Sequence, residues 1–263
     1  MSKTDTLLSR KEGGVGIVTF NNPQRHNAVS LEMWEATKHA LDAFAGDDAV
    51  RVVVLTGAGD KAFVSGADIS KFASERASLE ATRAYDVKTA AAFNSVYEFP
   101  QPTIAMIRGY CFGGGVGVAS CCDLRICSDN SVFAVPAAKL GLGYGLAGLK
   151  RLVDIVGQSY AKEIFYTARQ FDAEEAYGMG LVNRVVPAAE LESYVKSITD
   201  MICANAPLTI KAVKFTIGEI LKDESKRDVA RANAMVEQCF ASRDYVEGRT
   251  AFMEKRKPVF TGT

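Results

Sequence analysis

Two stretches decide the reading of this chain: Phe63-Val64-Ser65-Gly66-Ala67-Asp68-Ile69 and Gly109-Tyr110-Cys111-Phe112-Gly113-Gly114-Gly115-Val116-Gly117. Each follows a short apolar run, Val50 to Leu55 before the first and Thr103 to Ile107 before the second. A continuous apolar run closed by a turn signal reads as a strand buried on both faces. Each stretch then leads into sequence of helical character. Glycines at a strand–helix junction let the backbone approach a ligand closely. Free N–H groups at a helix start attract developing negative charge. Two such donors converging from two turns are what a carbonyl oxygen needs when it gains charge. Tight turns with no ligand use the same glycines, so neither stretch is decisive alone. A phosphate-binding reading of these stretches fails on pattern, since there is no GxxxxGK[ST] and the Gly113 to Gly117 run does not match GxGxxG.

Outward from these stretches, strand and helix alternate. Val15 to Phe20 reads as a strand, broken by Asn21-Asn22-Pro23. Ser30 is a helix N-cap with Glu32 in the first turn. Behind it, Met33, Trp34, Thr37, Leu41 and Phe44 recur at helical spacing and should face a core. Residues 75–97 read as a helix ending before Pro100, Gly113 to Ser120 as a helix start, and Arg125 to Val135 as short strands. This order points to parallel βαβ units. From about Glu174 onward the chain reads as mostly helical, with amphipathic stretches at 188–204 and 207–222. That tail is apolar enough to pack on its own core or on another subunit.

Bulk properties narrow the chemistry. The chain has 263 residues, 48% of them hydrophobic, and its 31 Lys plus Arg balance 31 Asp plus Glu. The zero net charge asks for neither nucleic acid nor an anionic membrane, so an anionic ligand must be met by local cations. The start, Met1 to Thr6, lacks an apolar signal core, and no apolar run approaches the roughly 20 residues of a membrane span. A cytoplasmic protein is expected. The six cysteines form no CxxC pair and read as buried thiols in a reducing compartment. Two histidines, His26 and His39, leave little material for a metal site or a Ser-His-Asp triad. His39 lies in helical sequence and should be on the surface.

Phe63 with Gly66-Ala67-Asp68-Ile69, followed by Gly109 and Gly113-Gly114-Gly115, resembles the double signature of the crotonase (enoyl-CoA hydratase/isomerase) superfamily. Asn22-Pro23-Gln24-Arg25-His26-Asn27-Ala28 is similar to that family's CoA-contacting loop. The segments Ala173 to Val182 and Val185-Val186-Pro187, and the tail Glu247 to Pro258, also resemble the family. The likeness spans nearly the whole chain. It implies an α/β fold, a spiral of ββα units over residues 1–187 followed by a helical trimerisation region over 188–263. It also implies an acyl-CoA substrate, a homotrimer or homohexamer, and no cofactor other than the coenzyme A carried by the substrate. Oxyanion donors would be the N–H groups of Ala67 and Gly114. Arg25, Ala28, Ala67, Phe252 and Lys255 would hold coenzyme A, although Lys255 to Lys257 also fits a solvated basic end.

The chain departs from the family where hydratases carry two glutamates. The position three residues after Gly114 is Gly117, and the residue after Phe133-Ala134-Val135-Pro136 is Ala137. Hydration needs a carboxylate to activate water and a proton for the α-carbon, and neither residue can provide them. The loop Gly141 to Gly148 places Tyr144 where hydratases commonly have a proline-containing turn, a partial resemblance to methylmalonyl-CoA decarboxylase-type members. Three readings follow: a decarboxylase-type lyase using the oxyanion hole with Tyr144 as proton donor, a hydratase or isomerase using other residues, and a CoA-binding protein without catalysis. Lys139 is a further polar candidate, better read as a surface lysine.

Overall fold

Strands Val52–Gly57 (β3), Thr103–Ile107 (β5) and Leu124–Ser128 (β7) lie side by side and parallel in the computed structural model, which describes residues 6–71 and 75–263. The polar start read at Met1 to Asp5 lies outside the described residues. Leu7–Glu12 (β1) and Val15–Phe20 (β2) extend one edge of this sheet and Arg184–Val186 (β10) the other, giving the order β1-β2-β3-β5-β7-β10. Only the β1–β2 pair is antiparallel.

The period-two geometry of a strand sends alternate side chains to opposite faces. Val53 and Leu55 enter the larger core with Ala105, Ile107 and Cys127. Val52 and Val54 enter a second core with Ile104, Ile126, Leu191 and Val195. Both faces are covered, which explains the unbroken apolar run.

A second sheet has the order β4-β6-β8-β9, from Ala62–Val64, Tyr110–Phe112, Val132–Ala134 and Gln170–Asp172. The pairs β3/β4, β5/β6 and β7/β8 each send their first strand to the large sheet and their second to the small one. This repetition is the ββα spiral. The small strands are three residues long, too short to show a period; β8 falls within the short strands read over Arg125 to Val135, while β4, β6 and β9 are not read as strands.

Helix α1 (Leu31–Ala45) starts where expected, with the Ser30 hydroxyl accepting from the Met33 N–H. Met33, Trp34, Thr37 and Leu41 are buried, and Phe44 packs against the core. Helix α2 (Leu79–Tyr97) lies against α1. Trp34 links them, its ring edge-on to Phe20 at 5.8 Å and to Phe93 at 5.0 Å. The short helix α3 (Gly114–Ala119) follows β6. Helix α4 (Leu146–Thr167) is kinked at Gly157, and its first turn takes up residues read as loop. A capping box at Asp172 and Glu175 starts α5 (Ala173–Gly178).

Four helices complete the chain: α6 (Leu191–Ala204), α7 (Pro207–Ile220), α8 (Val229–Ala241) and α9 (Arg243–Glu254). Helix α6 covers the outer face of the large sheet through Leu191 and Val195. Lys214 ties α7 to the sheet, donating to the Asp123 carboxylate (2.7 Å) and the Gln101 carbonyl (2.8 Å). Asp244 holds the C-terminal strand-like segment by accepting from the N–H groups of Thr261 and Gly262. Helix α8 buries no residue within one chain.

Three glycines set the distance between the layers, Gly57 against the carbonyls of Ala62 and Phe63 among them. A Cβ at Gly109 would land on the Lys61 carbonyl oxygen, and one at Gly115 on that of Val64. Overpacking against backbone has no cheap relief, so Gly115→Ala is expected to cost about 1–3 kcal/mol or more. Gly143, with open space around its Cβ direction, serves as control, and Gly143→Ala should stay within about 0.5 kcal/mol. Urea midpoints of the two variants test this.

Candidate active site

Strand β4 delivers Gly66 and Ala67 alongside Val29, with which Ala67 forms an isolated parallel bridge. The Val29 N–H donates to the Gly66 carbonyl (2.8 Å) and the Asp68 N–H to the Val29 carbonyl (2.9 Å). In a parallel pairing of this kind the residue between the two bonds turns its own N–H away from its partner. The Ala67 N–H therefore faces away from Val29. Helix α3 begins on the other side of the turn. Its first intrahelical bond runs from the Gly117 N–H to the Gly113 carbonyl (3.0 Å), so the Gly114 N–H precedes the helical ladder. A Cβ built on Gly114 would lie 3.9 Å from the Ala67 nitrogen and 3.4 Å from the Trp34 ring. The two glycine turns thus meet, 47 residues apart in sequence numbering from Ala67 to Gly114 (114 − 67).

The loop bearing Arg25 and Ala28 is fastened to the same place. Asn27 is fully buried, donating to the carbonyls of Ala58 and Ala62 and accepting from the Asn22 N–H. This side chain holds the loop against β4. Arg25 reaches Asp68 (3.1 Å) and the Ser70 hydroxyl (2.6 Å). Asp68 is buried, and its carboxyl is held below the ordinary range, chiefly by the Ser70 hydroxyl and then by the Ser70 N–H and the Arg25 charge. Arg25 keeps more than half of its side chain exposed, at 56%, leaving donors for an anion. Arg25, Ala28, Ala67 and Gly114 are therefore brought together.

Phe252 and Lys255 lie elsewhere in the single chain. Phe252 is exposed and lines a groove of about 1240 Å³ between α7, α8 and α9. Lys255 ends α9 in the left-handed conformation. Tyr144 stands edge-on to Phe165 at 4.8 Å, with 40% of its surface exposed. Burial raises its phenol above the ordinary value, opposed by the Arg76 charge, so the hydroxyl is neutral at physiological pH. Its ring contact belongs to α4, not to the Ala67–Gly114 turns.

Positions 117 and 137 carry no carboxylate and differ in their surroundings. Ala137 is buried in the 3-10 turn Pro136–Leu140, its carbonyl accepting from the Leu142 N–H. A Cβ on Gly117 would sit 2.8 Å from the Phe93 ring. Lys139 and His39 are exposed. Four cysteines, Cys111, Cys121, Cys122 and Cys127, are buried. Burial pushes Cys121 up to about 11 and Cys127 to about 12, so both stay thiols. Among the described residues no group of three or more His, Cys, Asp or Glu could hold a metal ion, and no helix is long and apolar enough to cross a membrane.

Sequence reasoning placed Trp34 only in a core and did not single out Phe93. Both flank α3. The signal that could have found Phe93 is the glycine at 117, since a missing side chain next to a tight helix start implies a neighbour filling the space.

The family described as enoyl-CoA hydratase/isomerase matches residues 10–263. The chain belongs to that family, the crotonase superfamily. It is 35% identical over 253 residues to a short-chain-enoyl-CoA hydratase of Clostridium acetobutylicum, covering 96% of each chain. It is 35% identical over 256 residues to a crotonyl-CoA hydratase of Syntrophomonas wolfei, covering 97% of this chain and 98% of the other. Among solved structures, an enoyl-CoA hydratase/carnithine racemase from Magnetospirillum magneticum superposes with a TM-score of 0.93 at 36% identity, covering 99% of this chain and 97% of that one. The crotonase fold and an enzyme of this family are thereby established, while none of these relatives is named a decarboxylase.

Asp68 links the Arg25 loop to the turn that carries Ala67. Asp68→Asn weakens charge-assisted bonds to Ser70 and Arg25 and is expected to cost about 1–3 kcal/mol at neutral pH. The folded carboxyl titrates below its ordinary 3.8. Its contribution is therefore complete above that value and is lost as pH falls through the lower folded value. Thermal melts should show a wild-type advantage at neutral pH that shrinks in acid.

Proposed function

We propose that the protein binds an acyl-CoA thioester and stabilises its enolate with the N–H groups of Ala67 and Gly114. The observation that carries this reading is the meeting of the two glycine turns, with an N–H turned away from Val29 on one side and a free helix N-terminus on the other. Donors fixed in the backbone need no reorganisation when charge develops on the thioester oxygen. Arg25 supplies local positive charge for coenzyme A, whose phosphates a net-neutral chain does not otherwise attract. Coenzyme A enters as part of the substrate, and the chemistry described here uses no further cofactor.

The reaction is of the hydratase/isomerase kind, since the relatives named above are hydratases, but it proceeds without glutamates at 117 and 137. Removing one positioned acid or base costs on the order of 10² to 10⁴ in rate. Crotonyl-CoA hydration is therefore expected to be slower by about 10² or more than in a two-glutamate hydratase. Loss of the enoyl thioester absorbance measures it, and turnover at a two-glutamate rate would place the acid and base on other residues. A decarboxylase-type reaction would need Tyr144 as donor. Tyr144→Phe should then abolish product from a malonyl-type thioester, while unchanged turnover would make Tyr144 a packing residue.

Binding should weaken with salt, because the phosphates are met by exposed cations. Arg25→Ala is expected to weaken CoA affinity several-fold and flatten the salt dependence in calorimetry. Affinity unchanged at every salt concentration would remove Arg25 from the site.

The helical region is proposed to assemble the chain into trimers or hexamers. Phe240, Phe252, Met253 and Ile217 are 62%, 80%, 79% and 54% exposed around one groove, an apolar patch that a lone chain would leave in water. Light scattering at micromolar concentration checks this, and a monomer would count against it.

A further inference from the structure

Gly114 and Gly117 are three residues apart on α3, so they share one face of that helix. Trp34 stands over the first and Phe93 over the second, and the two rings meet edge-on at 5.0 Å. Trp34 is buried to 1% exposure, whereas Phe93 is only partly buried. The aromatic pair therefore forms a continuous wall along the face of α3 that begins at the oxyanion donor. The wall exists because position 117 has no side chain. A Cβ there would approach the Phe93 ring at 2.8 and 3.1 Å, closer than unstrained packing allows.

We propose that Phe93 is a specificity-determining residue, taking the volume of the absent side chain at 117 and presenting its ring to the acyl group of the thioester. This rests on the acyl-CoA reading above and adds to it a substrate class. The site takes acyl groups that are apolar next to the thioester carbonyl, and it excludes water from the α3 side. A hydrocarbon group gains from leaving water for this surface, whereas an incoming water would find no hydrogen-bond partner on the two rings.

The proposal makes Phe93 and position 117 competitors for one space, which a double-mutant cycle reads directly. Gly117→Ala should lower Tm in the wild-type background. In Phe93→Ala, where the space is vacant, the same substitution should have little effect or raise Tm. Additive Tm changes would overturn the proposal, and this arm needs no ligand. Binding is read by calorimetry with butyryl-CoA and with free coenzyme A. Phe93→Ala should weaken butyryl-CoA about five- to tenfold and leave coenzyme A unchanged, as expected for loss of buried apolar area. Phe93→Leu should recover part of the loss. Equal weakening of both ligands, or of neither, would overturn the role in specificity.

Hydration of crotonyl-CoA gives a third readout. Gly117→Glu alone should not raise it, because the ring obstructs the carboxylate, whereas Phe93→Ala/Gly117→Glu should exceed both single variants by about tenfold, the low end for a positioned base. Equal activity in Gly117→Glu and the double variant would show that the ring does not obstruct. Failure of the wild type to bind any acyl-CoA would refute the acyl-CoA reading and, with it, the substrate class. The Tm cycle would still decide whether Phe93 and position 117 share one space.

Discussion

The close seating of strand β4 is the constraint on which the rest depends. Gly109 and Gly115 leave bare backbone against the carbonyls of Lys61 and Val64, and no other residue type could occupy those positions without pushing β4 outward. The same strand ends in the turn that carries Ala67, and Asn27 pins the Arg25 loop to its carbonyls. One packing distance thus sets three things at once. It fixes the separation of the two sheets, the approach of Ala67 to Gly114, and the position of the cation beside them.

The resulting site is built largely from groups that do not titrate. The proposed donors are peptide N–H groups, Trp34 and Phe93 flank the helix that carries one of them, and burial holds the Cys121 and Cys127 thiols in the neutral form. The charged element, Arg25 with Asp68, is partly exposed through Arg25 and sits beside the Ala67 turn. The half-exposed Arg25 charge contributes little to stability by itself, and the buried Asp68 carboxylate is held chiefly by Ser70. The value of the pair lies in positioning, since Asp68 also accepts from the Ser70 hydroxyl and N–H and so shapes the chain just after the oxyanion residue.

The edge strands β1, mostly exposed, and β10, three residues long, carry no such signal, but β3 and β5 were legible because they are buried on both faces and carry unbroken apolar runs, and α1 because its cap and its 3.6-residue period agree. Most of the small sheet was not. Three-residue strands such as Tyr110–Phe112 carry no period, and their glycine neighbours read only as turns. Helix α4 was hidden by the glycines between 141 and 148, which suggest a loop although the helix begins at Leu146. In the site, Ala67, Gly114, Arg25 and Ala28 could be named from motif order, and the fold brings them together. Phe252 and Lys255 came from the resemblance of the tail and lie with the terminal helices. Phe93 was missed for a related reason, as its neighbour is an absence at 117.

Placing the oxyanion donors in the backbone separates two functions that side chains would otherwise share. A substitution at 117 or 137 cannot remove the N–H of Ala67 or Gly114, provided the glycine packing under β4 survives. Stabilisation of a charged thioester oxygen is therefore independent of the acids that handle water. Loss of both glutamates removes proton transfer at those two positions without dismantling the electrostatic part of catalysis, which is commonly the largest single contribution. The vacancy is then free to acquire another purpose. Here Phe93 occupies it, and because the ring rests on Trp34, which rests on Phe20, the new surface is anchored in the main core. A side chain at 117 requires the far end of the Phe93 ring to shift, so the two positions are coupled through that ring.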